Sequence, residues 1–156
     1  MSFKFFKSQF NPTGLTGKVG GSIVETELSG YLGELFAHQY AYPIESTGAV
    51  VQYRKVFVKN EYSMTSTDTR IWLDAQHTSG QIYLALQTGS LGTGSVQRPP
   101  SDLYGWVAPN SYSGGLDIGT LHPTESTGIW LRQTLTSIES SNPYTSLRLY
   151  VGGIVE

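Results

Sequence analysis

Apolar and polar residues alternate with a period of two in several stretches of this chain, and that period belongs to strands with one buried face. Thr69 to Ala75 (TRIWLDA) puts Ile71, Leu73 and Ala75 on one side and Arg70, Trp72 and Asp74 on the other. Gln81 to Gln87 (QIYLALQ) aligns Ile82, Leu84 and Leu86. Gly128 to Leu135 sets Ile129, Leu131 and Gln133 opposite Trp130, Arg132 and Thr134. Thr145 to Val151 sets Leu147, Leu149 and Val151 opposite Ser146, Arg148 and Tyr150. Ala49 to Asn60 (AVVQYRKVFVKN) is rich in β-branched and aromatic residues and predicts a long strand. Gly20-Gly21 opens a further candidate, Ser22 to Leu28. Leu28, Leu32 and Leu35 have helical spacing, but Gly30 and Gly33 limit this region to a short turn of helix.

Turn signals separate these strands. Ser140-Ser141-Asn142-Pro143 reads as a turn. Gly89 to Gly115 is the least regular region, with Pro99-Pro100 and repeated glycines, and long irregular connections often carry function. Short alternating strands without amphipathic helices between them predict an all-β antiparallel sandwich, jelly-roll-like, over residues 21–156. Residues 1–20 read as a separate segment. Phe3, Phe5, Phe6 and Phe10 crowd its first half, and Pro12, Gly14 and Gly17 break its second. Two readings stand: a first strand that feeds the chain's own core, or an extended N-terminal arm that docks on a neighbouring subunit. The arm reading makes those four phenylalanines partner contacts.

The composition narrows the function classes. A chain of 156 residues is one domain's worth and buries enough surface to fold without metal or disulfide. It has 0 Cys, which removes thiol nucleophiles, disulfides and cysteine-based zinc sites. A net charge of −2 with dispersed Lys and Arg is not the footprint of a nucleic-acid binder. The N-terminus lacks an apolar signal-peptide core, and no stretch approaches the ~20 apolar residues of a membrane helix. The expectation is a soluble product made in a cytoplasm, without nucleic-acid or membrane partners.

Catalytic patterns are sparse. Gly14-Leu15-Thr16-Gly17-Lys18 evokes a phosphate loop, but Pro12 stands where the first glycine belongs and Val19 where Ser or Thr belongs. His38, His77 and His122 are far apart in sequence, so the expected metal set is none and no cofactor is implied. Asp68, Asp74, Asp102 and Asp117 are the acids a hydrolase would use, yet nothing in the spacing converges them. No Gly-x-Ser-x-Gly elbow occurs. The expectation is a non-enzyme with no catalytic residues. Tyr104, Trp106 and Tyr112 in the irregular region could stack a sugar, cap the core or fill a subunit interface. The tetrapeptide Glu-Ser-Thr-Gly occurs at 45–48 and 125–128, each time before a strand with a central arginine (Arg54 and Arg132), a match short enough for coincidence.

Tyr53-Arg54-Lys55-Val56-Phe57-Val58-Lys59-Asn60 followed by Thr69-Arg70-Ile71-Trp72-Leu73 resembles a family of small virion proteins of tailed bacteriophages. Ile129-Trp130-Leu131-Arg132-Gln133-Thr134 and the ending Leu147-Arg148-Leu149-Tyr150-Val151 are similar to the same family. The resemblance runs from about Leu35 to the C-terminus. It departs at Gln133, where the family has a second arginine, and in region 99–115. It implies a virion structural protein, a capsid decoration or cement protein first. The partners implied are the major capsid protein and further copies of the chain, as a trimer or a higher cyclic assembly. The alternative is a tail or baseplate module that binds host surface carbohydrate through Tyr104, Trp106 and Tyr112.

Overall fold

The computed structural model describes residues 2–10, 19–31, 35, 50–74, 80–86, 95–96, 105–135 and 148–156. These residues build two antiparallel sheets packed as a sandwich, the class the alternation predicts. The strands are β1 (Phe3–Phe10), β2 (Val19–Leu28), β3 (Val50–Asn60), β4 (Ser66–Leu73), β5 (Gly80–Leu86), β6 (Ser95–Val96), β7 (Leu116–Leu121), β8 (Ser126–Leu135) and β9 (Leu149–Val155). The larger sheet has the order β5-β8-β3-β1-β2-β6, and the smaller has the order β7-β4-β9.

Side chains of opposite pleat separate core from surface. Val56 and Val58 on β3, Ile129 and Leu131 on β8, and Ile82 and Leu84 on β5 face inward from the large sheet. They meet Ile71 and Leu73 on β4, Ile118 and Leu121 on β7 and Leu149 on β9. β3 and β8 pair over their whole length, with Lys55 opposite Trp130 and Val56 opposite Ile129. Burying each such aliphatic side chain stabilises the fold by ~1.5–3 kcal/mol. Asn60 is fully buried at the end of β3 and fully used. Its amide donates to the carbonyls of Met64 and Leu121, and its side-chain oxygen accepts from the Tyr62 N–H. Gln133 is different: it sits on the inner pleat of β8, and its buried side-chain amide has no hydrogen-bond partner among the described residues.

The N-terminal segment departs from the arm reading. Residues 3–10 form β1, an interior strand between β3 and β2. Phe5 lies in the core opposite Val58, and Phe3 packs against that core. Phe6 and Phe10 are partly buried, so this strand uses its phenylalanines within its own sheet. The physical reason is that an alternating aromatic strand beside an unpaired edge of β3 gains both a ladder of hydrogen bonds and apolar burial. Residues 11–18 lie outside the described residues.

β1 leaves β3 after Lys7. Ser8 is buried, and its hydroxyl donates to the Lys55 carbonyl at 2.8 Å, in place of a further ladder bond. Register shifts against β2 flank Ser8, and the Gln9 side chain accepts from the Ser22 N–H at 3.0 Å. Such irregularities bend a strand and increase its twist. Here they carry Gly20 and Gly21 over the outer face of the large sheet. Both glycines have φ near +90° (88° and 92°), the left-handed region open to glycine.

Two seams join the sheets. At one side the Leu84 and Val107 backbones exchange hydrogen bonds of 2.7 and 2.9 Å, and two residues on, Pro109 accepts from the Leu73 N–H. At the other, Leu149 N–H donates to Gly30 O at 2.8 Å, and Tyr31 bridges Arg148. The region expected to be irregular thus includes a strap, residues 105–110, that ties β5 to β4. It also leads into β7, whose short LDIGTL sequence with Gly119 at φ 82° gave no strong alternation. Of the expected strand, β9 contains Leu149 to Val151, and it runs on through Gly152-Gly153 to Val155; residues 145–147 lie outside the described residues. The turn at 140–143, and nearly all of the proposed helical turn, lie outside the described residues.

Candidate functional site

Aromatic and charged residues gather in three places. The first is the outer face of the large sheet. Lys55, Trp130 and Ala85 are buried there, with Tyr53 and Trp106 packed against them. The Lys55 ammonium lies 4.9 Å from the Phe57 ring and 5.5 Å from the Trp130 ring, and donates to Gly21 O at 3.3 Å. Arg132 stacks over Tyr83 at 4.5 Å and over Trp106 at 4.9 Å. A Cβ on Gly20 would sit 2.6 Å from the Trp130 ring, so glycine at 20 is what lets the β2 backbone lie on the indole. Burial pushes the Lys55 amine down to about 8. Arg54 points the other way, into the sandwich, where it donates to Leu35 O at 3.1 Å and to Tyr53 O at 2.7 Å. Burial lowers its guanidinium to about 10, which leaves it charged at neutral pH.

The second place is the outer face of the small sheet. Trp72 on β4 and Tyr150 on β9 are direct cross-strand partners, and their rings lie nearly parallel, 17° apart with centroids at 5.9 Å. Tyr112 meets Trp72 edge-on at 5.7 Å. A Cβ at Gly152 would approach the Trp72 ring to 3.3 Å, so the indole rests on bare backbone. The Tyr112 hydroxyl donates to the Asp68 carbonyl at 2.8 Å and to its carboxylate at 3.2 Å. Asp68 also pairs with Arg70 at 3.0 Å, and Arg70 lies 5.3 Å over the Tyr112 ring. The Asp74 carboxylate accepts from the Arg148 N–H at 3.2 Å and lies near enough to Tyr150 to act on its phenol. Desolvation, then the Asp68 hydrogen bond, raises the Tyr112 phenol; the bond to Asp74 is the first cause of the rise at Tyr150. Arg148 bridges Tyr150 to Tyr31, which is 45% exposed.

The third is a groove of about 470 Å³ where β1 and the end of β2 diverge from β9. Phe3 and Tyr62 meet edge-on there at 5.3 Å, and a Lys4–Glu27 ion pair of 3.7 Å stands nearby.

The three loop aromatics singled out in the sequence therefore do not make one platform. Trp106 belongs to the large sheet's outer face and Tyr112 to the small sheet's; Tyr104 lies outside the described residues. Residues 107–111 cross the seam between the two sheets and set Trp106 and Tyr112 on different faces. Trp72 and Tyr150 were missed as partners for Tyr112, although both sit on the polar side of their alternating strands. The signal was there in two half-exposed aromatic positions on strands, but pairing β4 with β9 requires the register. His122 bonds Thr65 and Asp117 caps the Gly119 N–H, so that acid is engaged within its own strand. His38, His77 and Asp102 lie outside the described residues. Among the described residues no group of three or more His, Cys, Asp or Glu side chains could hold a metal ion. No protein-family model matches the sequence, and neither a curated protein nor a solved structure is significantly similar to it.

Proposed function

We propose that this chain is a structural protein of a bacteriophage particle, a decoration protein that binds the head and stabilises it. One observation supports this reading. The segments that resemble phage virion proteins are neighbours in space: Tyr53–Val56 pairs with Ile129–Arg132, and Ile71–Leu73 pairs with Leu149–Val151. The resemblance thus describes packed strand pairs in both sheets, which is what a shared scaffold would conserve in sequence. Attachment to a shell would use exposed apolar residues such as Ile23, Val107 and Ile154, since β1 uses its phenylalanines internally. Burying such residues against capsid subunits would contribute roughly 25 cal/mol per Å² before ordering costs.

The test is co-sedimentation of purified protein with heads and, separately, with tails of a phage that carries this gene. Saturable binding to heads at many copies per particle is the expected result. Binding to tails alone, or to neither, removes the decoration reading.

A further inference from the structure

We propose that the ledge formed by Trp72, Tyr112 and Tyr150 on the small sheet is a binding site for a neutral pyranose oligosaccharide. The inference stands independently of the virion reading, because it concerns what this face binds rather than where the protein resides.

A sugar ring presents an apolar face of C–H bonds and a rim of hydroxyls, so its recognition needs an aromatic surface edged by paired donors and acceptors. The ledge supplies both. Trp72 and Tyr150 are nearly parallel across β4 and β9, and Tyr112 closes one side edge-on. All three rings are half-buried. The Asp68 carboxylate is bonded to the Tyr112 hydroxyl, Asp74 lies near Tyr150, and the guanidinium groups of Arg70 and Arg148 lie 5.3 and 5.5 Å over the Tyr112 and Tyr150 rings. With Asp117, the cross-strand partner of Arg70, three acids face two guanidinium groups. Such a rim suits a neutral polyol better than a phosphate or a polyanion, which would call for an excess of cations. It also differs from a dry protein-binding hot spot, where charge is depleted from the centre.

The ledge is fixed before any ligand arrives. Gly152 seats the indole, the Tyr112 hydroxyl is locked to Asp68, and the Tyr150 ring is stacked on Trp72. Rings with few free torsions lose little entropy on binding. The opposite cluster at Trp106 offers less surface, because Trp130 beside it is fully buried under Gly20.

The experiment uses the full chain. An array of bacterial and mammalian glycans is screened first, followed by titration of maltotetraose, cellotetraose and chitotetraose with tryptophan fluorescence and calorimetry as readouts. The expected result is binding of one or more neutral oligosaccharides that falls at least 10-fold in Trp72→Ala and in Tyr150→Ala. Trp106→Ala should bind as the parent does. Each variant is first checked for an unchanged unfolding midpoint or, where it shifts, assayed well below it. Tyr112→Phe keeps the ring and serves as a second probe: it should weaken binding less than Trp72→Ala. A flat array, binding only of anionic glycans, binding of a protein partner that Trp72→Ala abolishes in place of any sugar, or sugar binding indifferent to Trp72 would each overturn the proposal.

Discussion

The two outer faces of the sandwich carry the same kinds of residue and treat them in opposite ways. On the large sheet Trp130, Lys55 and Arg132 neighbour Tyr53, Tyr83 and Trp106. On the small sheet Trp72 and Arg70 neighbour Tyr112 and Tyr150. The first tryptophan is fully buried and the second half-exposed. What separates them is a backbone cover. The bent β1–β2 hairpin lays Gly20 on Trp130 and Gly21 on the Lys55 ammonium, whereas the small sheet leaves Trp72 with glycine below it and Tyr112 at its edge. Identical side-chain chemistry thus becomes a second small core in one place and an open ledge in the other.

The largest expected effect comes from emptying the covered face. Trp130→Ala should cost about 3–5 kcal/mol, read as a fall in the urea unfolding midpoint, because the cavity is capped by backbone and closes poorly. If the loss were no greater than for Trp72→Ala, the two faces would not differ as described. Gly20→Ala comes next, at about 1–3 kcal/mol: the new methyl meets the Trp130 ring at 2.6 Å, and the φ of 88° is unfavourable for any side chain. Pairing it with Trp130→Ala should relieve part of that loss, and a double-mutant cycle would measure the coupling.

Lys55 gives a smaller effect with a distinctive pH signature. Its folded value of about 8 is below the ordinary 10.5. Below pH 8 both folded and unfolded chains carry the proton, and the cost of burying the charge is fully present. Between pH 8 and 10 the folded state releases the proton while the unfolded state keeps it, so stability should rise with pH. Above about 10 the raised tyrosines act in the opposite direction, since the unfolded chain ionises first. Denaturant midpoints at pH 7, 8, 9 and 10 would show the rise in the parent and its loss in Lys55→Met, which should be equal to the parent or about 1 kcal/mol more stable at pH 7. The smallest change is expected at the open face, where Trp72→Ala should cost about 1 kcal/mol or less by the same denaturation assay.

Much of the framework was legible in the sequence. β4, β5 and β8 follow from alternation and β3 from its β-branched and aromatic residues, and the inward residues Ile71, Leu73, Ile82, Leu84, Ile129 and Leu131 lie in the core. Other features were not legible, for identifiable reasons. Alternation set Trp130 opposite the core residues Ile129 and Leu131 correctly, but it is blind to a second layer laid over that face. The cover depends on Ser8, Gln9, Gly20 and Gly21, residues that also look like ordinary turn formers. The Phe-rich segment had two readings because apolar crowding is the same in an interior strand and a docking arm; only pairing with β3 separates them. Gly152-Gly153 hid the far half of β9, and with it the register that places Tyr150 against Trp72. The ledge was therefore spread over three segments that no local pattern connects.

The seams at Leu84–Val107 and Gly30–Leu149 also set how the molecule breathes. A sandwich held by its core alone would let its sheets slide apart along either side, and peripheral amides would lose deuterium protection together. Here one seam must break before the sheets can separate on that side, while the other acts as a hinge. The Val107 and Leu149 amides should therefore exchange in separate events, each with its own opening free energy, and the slower side would identify the hinge.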